Sequence, residues 1–338
     1  MNIGIITAVL LLSGGVAAVL YGLRLLSDGL EKLLSAGADG FVRRAAGNPL
    51  TAYFSGLAVA GITQSSTATS MTAVSMVSAG TCSLVSAAAM IMGANVGTTV
   101  TAQIFAFTGG GVGRTVTGAA FLAAGAFLSF RKGEKAKFSG DAAFGLGLIL
   151  CGLDSVGINI APVVSLPAAG ALLGSDNAVL CFFLGVLSTA ILQSSSAVTG
   201  VLVLLCEKGE TTFYNAIFII LGSNIGSCFS VMFSSGKKCA AARCAAAFNL
   251  VFNALGAFAV MPFCIIFKDG FVRLFLHGLV GAGRAAANFH TAFNIVSSVA
   301  FIPFLKPVTG LIERLVNGGR KRPKFKNRKI SSKFARYR

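Results

Sequence analysis

The stretch Gly61-Ile62-Thr63-Gln64-Ser65-Ser66-Thr67 puts five consecutive polar side chains at the centre of a segment, 50–80, that is otherwise apolar. The chain repeats the pattern at Gln193-Ser194-Ser195-Ser196, inside the apolar segment 178–205, and the copies stand 129 residues apart. The offset recurs elsewhere. Gly93-Ala94-Asn95-Val96-Gly97-Thr98 matches Gly222-Ser223-Asn224-Ile225-Gly226-Ser227, and Arg114 matches Arg243, all at 129. Tyr21-Gly22-Leu23 resembles Cys151-Gly152-Leu153 at 130. Several polar matches at one spacing indicate an internal duplication.

The solvent around this duplication is a bilayer. Of 338 residues, 55% are hydrophobic and 12% charged, against about 25% charged in a soluble domain. Apolar runs near 3–23, 84–107, 114–130, 142–166, 213–235, 244–267 and 286–305 are each long enough for a transmembrane helix, which needs about 20 residues. The first run lacks a basic leader and a small-residue cleavage site, so it reads as a retained helix and not a signal peptide. Residues 24–48 carry charges among leucines at helical spacing, which suggests an amphipathic helix at the interface.

Charge placement decides how 50–80 and 178–205 sit. If both are re-entrant hairpins, seven full spans remain. The loops 24–48, 131–141, 236–243 and 306–338 then share one side with 23 of the 28 Lys and Arg residues. The other side holds Arg114, Lys208, Lys268, Arg273 and Arg284. This is the asymmetry of the positive-inside rule. If both were full spans, the basic cluster 131–141 would face outside. Three spans separate the hairpins, so the two copies are expected to enter from opposite sides. The expected fold is an all-α integral membrane protein, with about seven transmembrane helices and two re-entrant helical hairpins in two inverted-topology repeats. The layout is 1–130 for the first repeat, 131–141 for a basic cytoplasmic loop, 142–267 for the second repeat, 268–305 for an extra span and 306–338 for a basic cytoplasmic tail. The expected location is the cell (inner) membrane, multi-pass, with the C-terminus cytoplasmic.

Inverted repeats with interrupted helices are the architecture of many secondary transporters, with the substrate near the midplane. A helix that breaks at Gln-Ser-Ser frees backbone N–H and C=O groups. A helix N-terminus suits an anion such as phosphate. Freed carbonyls, the Gln side-chain oxygen and hydroxyls are hard ligands suited to Na+. The candidate site is therefore Gln64, Ser65, Ser66 and Thr67 with Gln193, Ser194, Ser195 and Ser196. Asn95, Thr98, Thr99, Asn224 and Ser227 are supporting candidates.

Other readings stand beside these. A single Ser-Ser in a membrane helix often only bonds back to its own turn. Asn95 and Asn224 also fit a role as glue between helices. Asp154 lies within a span, where an ionisable group is a functional candidate, or at a local break near Gly157 and Pro162. His290 reads as a packed polar residue, and Arg114 and Arg243 as anchors near span ends. The eight cysteines read as small buried side chains, and their spacing gives no zinc motif. Ten Lys and Arg residues crowd 320–338. That run reads as a solvated segment touching anionic lipid, not as a nucleic-acid site. Enzymatic chemistry has little to stand on: the histidines are His277 and His290, and no span pairs carboxylates.

At these motifs the sequence resembles the type II sodium/phosphate cotransporter family in its bacterial form. The resemblance rests on GITQSSTATSMTAVSMVSAG at 61–80, GANVGTT at 93–99, LQSSSAVTG at 192–200 and GSNIGSC at 222–228, with RCAAAFN at 243–249 and ANFHTAFN at 287–294. It implies Na+-driven phosphate import by alternating access, with substrate and sodium residues centred on the two QSS regions. It implies Na+ as coupling ion and no other cofactor. The first copy reads QSST where the second reads QSSS, which keeps the hydroxyl. Many bacterial relatives carry a PhoU-like helical domain at the C-terminus, where this chain has a basic tail. Another anion or polar solute on the same scaffold is the alternative, followed by a scaffold or sensor that transports nothing.

Overall fold

A computed structural model describes residues 3–45, 47–107, 112–278 and 280–316. In chain order its helices are α1 (Ile3–Ala45), α2 (Pro49–Thr63), α3 (Ser66–Ser78), α4 (Leu84–Gly97), α5 (Thr99–Phe107), α6 (Val112–Ser129), α7 (Glu134–Asn159) and α8 (Ala161–Val164). There follow α9 (Pro167–Leu173), α10 (Ala178–Leu192), α11 (Ser195–Lys208), α12 (Phe213–Ser235), α13 (Ala240–Ile266), α14 (Lys268–Phe275), α15 (Ala282–Phe301) and α16 (Leu305–Val316). No strand occurs among the described residues.

Seven helical segments are long and apolar enough to cross a bilayer: Ile3–Leu33, Leu84–Phe107, Val112–Ser129, Glu134–Asn159, Phe213–Ser235, Ala240–Ile266 and Ala282–Val316. They match the seven runs expected from the sequence. The protein is an all-α, multi-pass membrane protein. The charged stretch 24–48, expected as an amphipathic helix at the interface, is helical as far as Ala45 and continues the first span without a break, in one helix of 43 residues. No proline interrupts it, and Gly22 and Gly29 let it lie directly on Gly145 and Phe138 of the antiparallel α7. α7 also starts earlier than expected, at Glu134 inside the predicted loop 131–141. The basic run 320–338 lies outside the described residues.

α2 and α3 form a helical hairpin. Gly93 of α4 packs on Tyr53 of α2 and Gly97 on Leu57, while the Thr101 hydroxyl reaches Gln64, so α2 and the α4–α5 segment run the same way. The short link 79–83 turns α3 back along α4. α2 and α3 are therefore antiparallel, with Gln64 and Ser65 at the tip. The second half repeats this: Gly222 of α12 packs on Phe182 of α10 and Gly226 on Val186, and the link 209–212 turns α11 back along α12. With 15 residues in α2 and 15 in α10, each ascending arm is about 22 Å long at 1.5 Å per residue. That is short of the roughly 30 Å hydrocarbon core.

Small side chains explain the pairing. A methyl group on Gly56, Gly93 or Gly97 would overlap a carbonyl of the facing helix, and the same holds at Gly185, Gly222 and Gly226. The two triplets are related by the 129-residue offset. Between lipid-embedded helices, close backbone approach of this kind replaces the hydrophobic drive. The caps repeat too. The Asn48 side chain accepts from Leu50 N at 2.9 Å and Asn177 from Val179 N at 3.0 Å. Ser83 accepts from Ser86 N at 3.0 Å and Thr212 from Asn215 N at 3.1 Å. Each such cap stabilises its helix by about 1 kcal/mol.

Candidate functional site

The two tips share one backbone. Gln64 sits at φ 55, ψ 24 and Gln193 at φ 54, ψ 23, the only non-glycine residues with positive φ among those described. Ser65 and Ser194 follow in extended conformation and cap α3 and α11: the Ser65 hydroxyl accepts from Ala68 N at 3.1 Å and the Ser194 hydroxyl from Ala197 N at 3.2 Å. A left-handed turn after a helix is ordinarily glycine, and a side chain there costs about 1–2 kcal/mol. A glutamine held in that conformation twice points to a use for its side chain.

The tips meet. The Ser196 hydroxyl lies 3.5 Å from the main-chain carbonyl of Gln64, which brings together the two halves of the predicted set. Gln64 is buried at 9% exposure. Its amide donates to Gly61 O, and Thr101 of α5 donates to its Oε1. Gln193 is exposed. Ser66 and Ser196 are buried, and Ser65, Thr67, Ser194 and Ser195 are half-buried. As first-turn residues, Ser66, Thr67, Ser195 and Ser196 have N–H groups with no intrahelical acceptor. The Thr63 hydroxyl is also buried without a partner. The tips thus concentrate unpaired N–H donors and hydroxyls at two facing helix N-termini. The last carbonyls of α2 and α10 lie beside them. The donor set is neutral throughout: peptide groups, hydroxyls and amides.

The supporting residues divide. The Asn95 amide nitrogen is buried with no partner, so it is available to a ligand or a moving neighbour. Thr98, Thr99 and Ser227 bond back to their own helices, to Asn95 O at 3.1 Å, Val96 O at 2.8 Å and Asn224 O at 2.7 Å. Asn224 does the same, to Ile220 O at 3.1 Å. α4 breaks into α5 at Thr98, whereas α12 runs unbroken past the equivalent Ser227. Thr101, which aligns with Ser230 in the repeat but stands outside the candidate site read from the sequence, is the residue of this segment that bonds to the tip. It lies three positions past Thr98, on the face that meets the tip.

A second polar cluster lies away from the tips. Arg114 of α6, expected as a span-end anchor, is instead buried at 1% exposure. Its Nη2 donates to Glu207 Oε2 of α11 at 2.7 Å. Its Nη1 is 4.0 Å from Asp154 Oδ1 of α7, and its Nε and Nη1 make no hydrogen bond. Thr115 donates to Asp154 Oδ2 at 2.5 Å. The two carboxylates offset part of the cost of taking the guanidinium out of water, and its unbonded Nε and Nη1 leave the rest uncompensated. Arg243, its counterpart in the second copy, is exposed as expected. His290 is buried in α15 with Nδ1 unpartnered.

The Na+/Pi-cotransporter family matches residues 18–157 and 172–286. Among curated proteins, the chain is 29% identical over 256 residues to "Uncharacterized protein YqeW" of Bacillus subtilis (strain 168), covering 75% of this chain and 81% of that protein. It is 27% identical over 267 residues to "Putative inorganic phosphate export protein YjbB" of Escherichia coli (strain K12), covering 78% of this chain and 48% of that one. The protein of the same name from Salmonella typhimurium is 27% identical over 254 residues, 75% of this chain and 46% of the relative. The chain thus spans about half the length of the YjbB relatives. No solved structure matches it.

Proposed function

Because the chain belongs to the Na+/Pi-cotransporter family, we propose that it is a sodium-coupled transporter of inorganic phosphate that works by alternating access, with phosphate and Na+ bound where the two Gln-Ser-Ser tips meet. The observation that carries this is the approach of Ser196 to the Gln64 carbonyl. It sets the N-termini of α3 and α11 at one place, each worth roughly half a positive charge. Their unpaired N–H groups and hydroxyls suit phosphate oxygens. Carbonyls at the ends of α2 and α10 and the glutamine oxygens suit a hard monovalent cation. The neutral lining favours release: phosphate is held by dipoles and not by a fixed cation.

The two halves are read as inverted repeats. In support, α15 packs antiparallel to the α4–α5 segment, with Ser298 at Met92 and Asn288 at Gln103. The far end of α11 reaches the start of α15, with Glu207 against Gly283. α11 therefore leaves the tips in the direction of α5, whereas α3 leaves them back along α4. Equivalent helices run opposite ways from the centre. In the cell membrane, with the basic loops cytoplasmic, α3 descends toward the cytoplasm and α11 toward the outside.

The test is phosphate flux in proteoliposomes of the purified chain, with an imposed Na+ gradient compared with K+. Gradients are set in both directions, since the YjbB relatives are named for export. Na+-dependent phosphate flux that falls in Ser196→Ala and Gln64→Ala supports the reading. Na+-dependent flux of sulfate or a carboxylate in its place changes the substrate and keeps the mechanism. Folded protein that moves none of these anions overturns it.

A further inference from the structure

We infer that the Arg114–Glu207 ion pair is a gate, holding the α11 side of the molecule closed while the α3 side stands open. The inference rests on the alternating-access reading above and assigns it residues.

The repeat makes the two sides comparable position by position. On α3, Ala68, Thr72, Ser75 and Ser78 are exposed. Thr72, Ser75, Met76 and Thr81 help line an open concavity of about 420 Å³. The faces of α2 and α10 that are exposed carry large apolar side chains such as Leu50, Phe54, Phe183 and Leu187, as lipid requires. The exposed α3 face carries hydroxyls, as water does. Of its counterparts on α11, 129 residues on, Ala197 is 1% exposed and Leu204 2%, Val201 is half-buried, and Glu207 at the helix end is exposed. One helix of the pair exposes a hydroxyl-bearing face, whereas the other is buried at the positions that match Ala68 and Ser75.

The same offset shows why. Glu207 corresponds to Ser78, and Arg114 to Arg243. The closed end therefore has an acid and a buried base bonded at 2.7 Å. The open end has a serine and an exposed arginine, although the end of α3 packs with the start of α13, where Val77 shares a cluster with Ala242 and Cys244. One side has a latch and the other lacks its acidic half.

The pair is also built to release. Glu207 is on the hairpin, whereas Arg114 and Asp154 are on α6 and α7, which pack on each other. If α11 swings away, Arg114 still faces Asp154, at 4.0 Å in the closed state. A buried charge is most costly when it is left without a partner. Asp154 gives the arginine a second partner, so the open state does not strand it.

The experiment reads accessibility, not transport. Ser75→Cys and Leu204→Cys are made separately, and their reaction with a water-soluble maleimide is followed by peptide mass spectrometry in native membranes. The parent is expected to react at position 75 and to be protected at 204. Adding Glu207→Gln is expected to speed labelling at 204 by about tenfold or more, while Glu207→Asp, which keeps the charge, retains the protection. Ser78→Glu puts an acid at the position equivalent to Glu207, on the α3 end that packs with α13, which carries Arg243. It is expected to slow labelling at 75 and raise it at 204, and it leaves Glu207 in place, so it does not depend on the latch variant folding. Protection at 204 that survives Glu207→Gln overturns the gate, and unchanged labelling in Ser78→Glu overturns the explanation of the asymmetry. No phosphate is present, so a chain that carried another solute would give the same labelling pattern, and a failed gate would leave phosphate transport untouched.

Discussion

The hydroxyl of Ser196 lies 3.5 Å from the carbonyl oxygen of Gln64, across 132 residues of sequence. No other hydrogen bond joins the two Gln-Ser-Ser motifs among the described residues. It does not cap a helix, which makes Ser196 the cleanest position at which to separate function from stability. Ser196→Ala is expected to weaken phosphate binding by about tenfold, the value of one hydrogen bond to a charged group, with little change in melting temperature. Binding measured by calorimetry beside thermal unfolding checks it; a large loss of stability with unchanged affinity would make Ser196 structural.

Ser65 and Ser194 behave differently because each caps a helix. Alanine at either position is expected to cost about 1 kcal/mol of stability in addition to any effect on phosphate. Ser65→Asp should restore the cap while placing a negative charge at the tip. Stability recovered with phosphate binding lost would separate the two roles.

Glycine at position 64 or 193 relieves a left-handed side chain, since glycine adopts positive φ freely. Gln193→Gly, at the exposed glutamine, is expected to keep or slightly raise the melting temperature, whereas Gln64→Gly also loses the bonds to Gly61 and Thr101 and is expected to lower it; both are expected to abolish Na+-dependent phosphate flux. Flux at the parent rate would remove the glutamine from the site.

Gly93 and Gly222 face carbonyls of Tyr53 and Phe182 with no room for a methyl group. Alanine at either should destabilise by about 1–3 kcal/mol, the range for overpacking. Gly14 has nothing within 4 Å of the position a methyl would take, and Gly14→Ala should be neutral or stabilising. Thermal unfolding in detergent ranks the three.

Two thiols report on the loops. Burial pushes the Cys82 thiol, in the link after α3, up to about 11, whereas Cys239, at the start of α13, is exposed. The thiolate is the reactive form. At pH 8 Cys82 is almost wholly protonated, and its labelling should rise about tenfold per pH unit up to pH 10. Cys239 should label readily at pH 7.5, and from the cytoplasmic face alone. Labelling of Cys239 from outside intact cells would reverse the proposed orientation.

The spans were readable because apolar length is a local property. The polar interruptions were readable because five polar residues at 63–67 contradict their surroundings. The caps at Asn48 and Asn177 obey the same offset as the motifs, but an asparagine before an apolar run also fits an ordinary loop. The continuity of α1 was not legible: a charged stretch after an apolar run reads as the end of the span until α7 is seen packed on α1 as far as Gly29 and Lys32. Glu207 was least legible. It closes an apolar helix, where a charge reads as the start of a loop, and its partner lies 93 residues earlier. Only a fold that joins α6 to α11 makes the pair visible.

The glycine contacts between α2 and α4, and between α10 and α12, have a mechanical consequence. With backbone lying on backbone, no side chain stands between the helices to change rotamer and let them slide. On the alternating-access proposal, each pair is expected to move as one unit. The proposed transport cycle would then bend the molecule at the slender junctions that remain: the hairpin tips, and the seam where Arg114 reaches for Glu207.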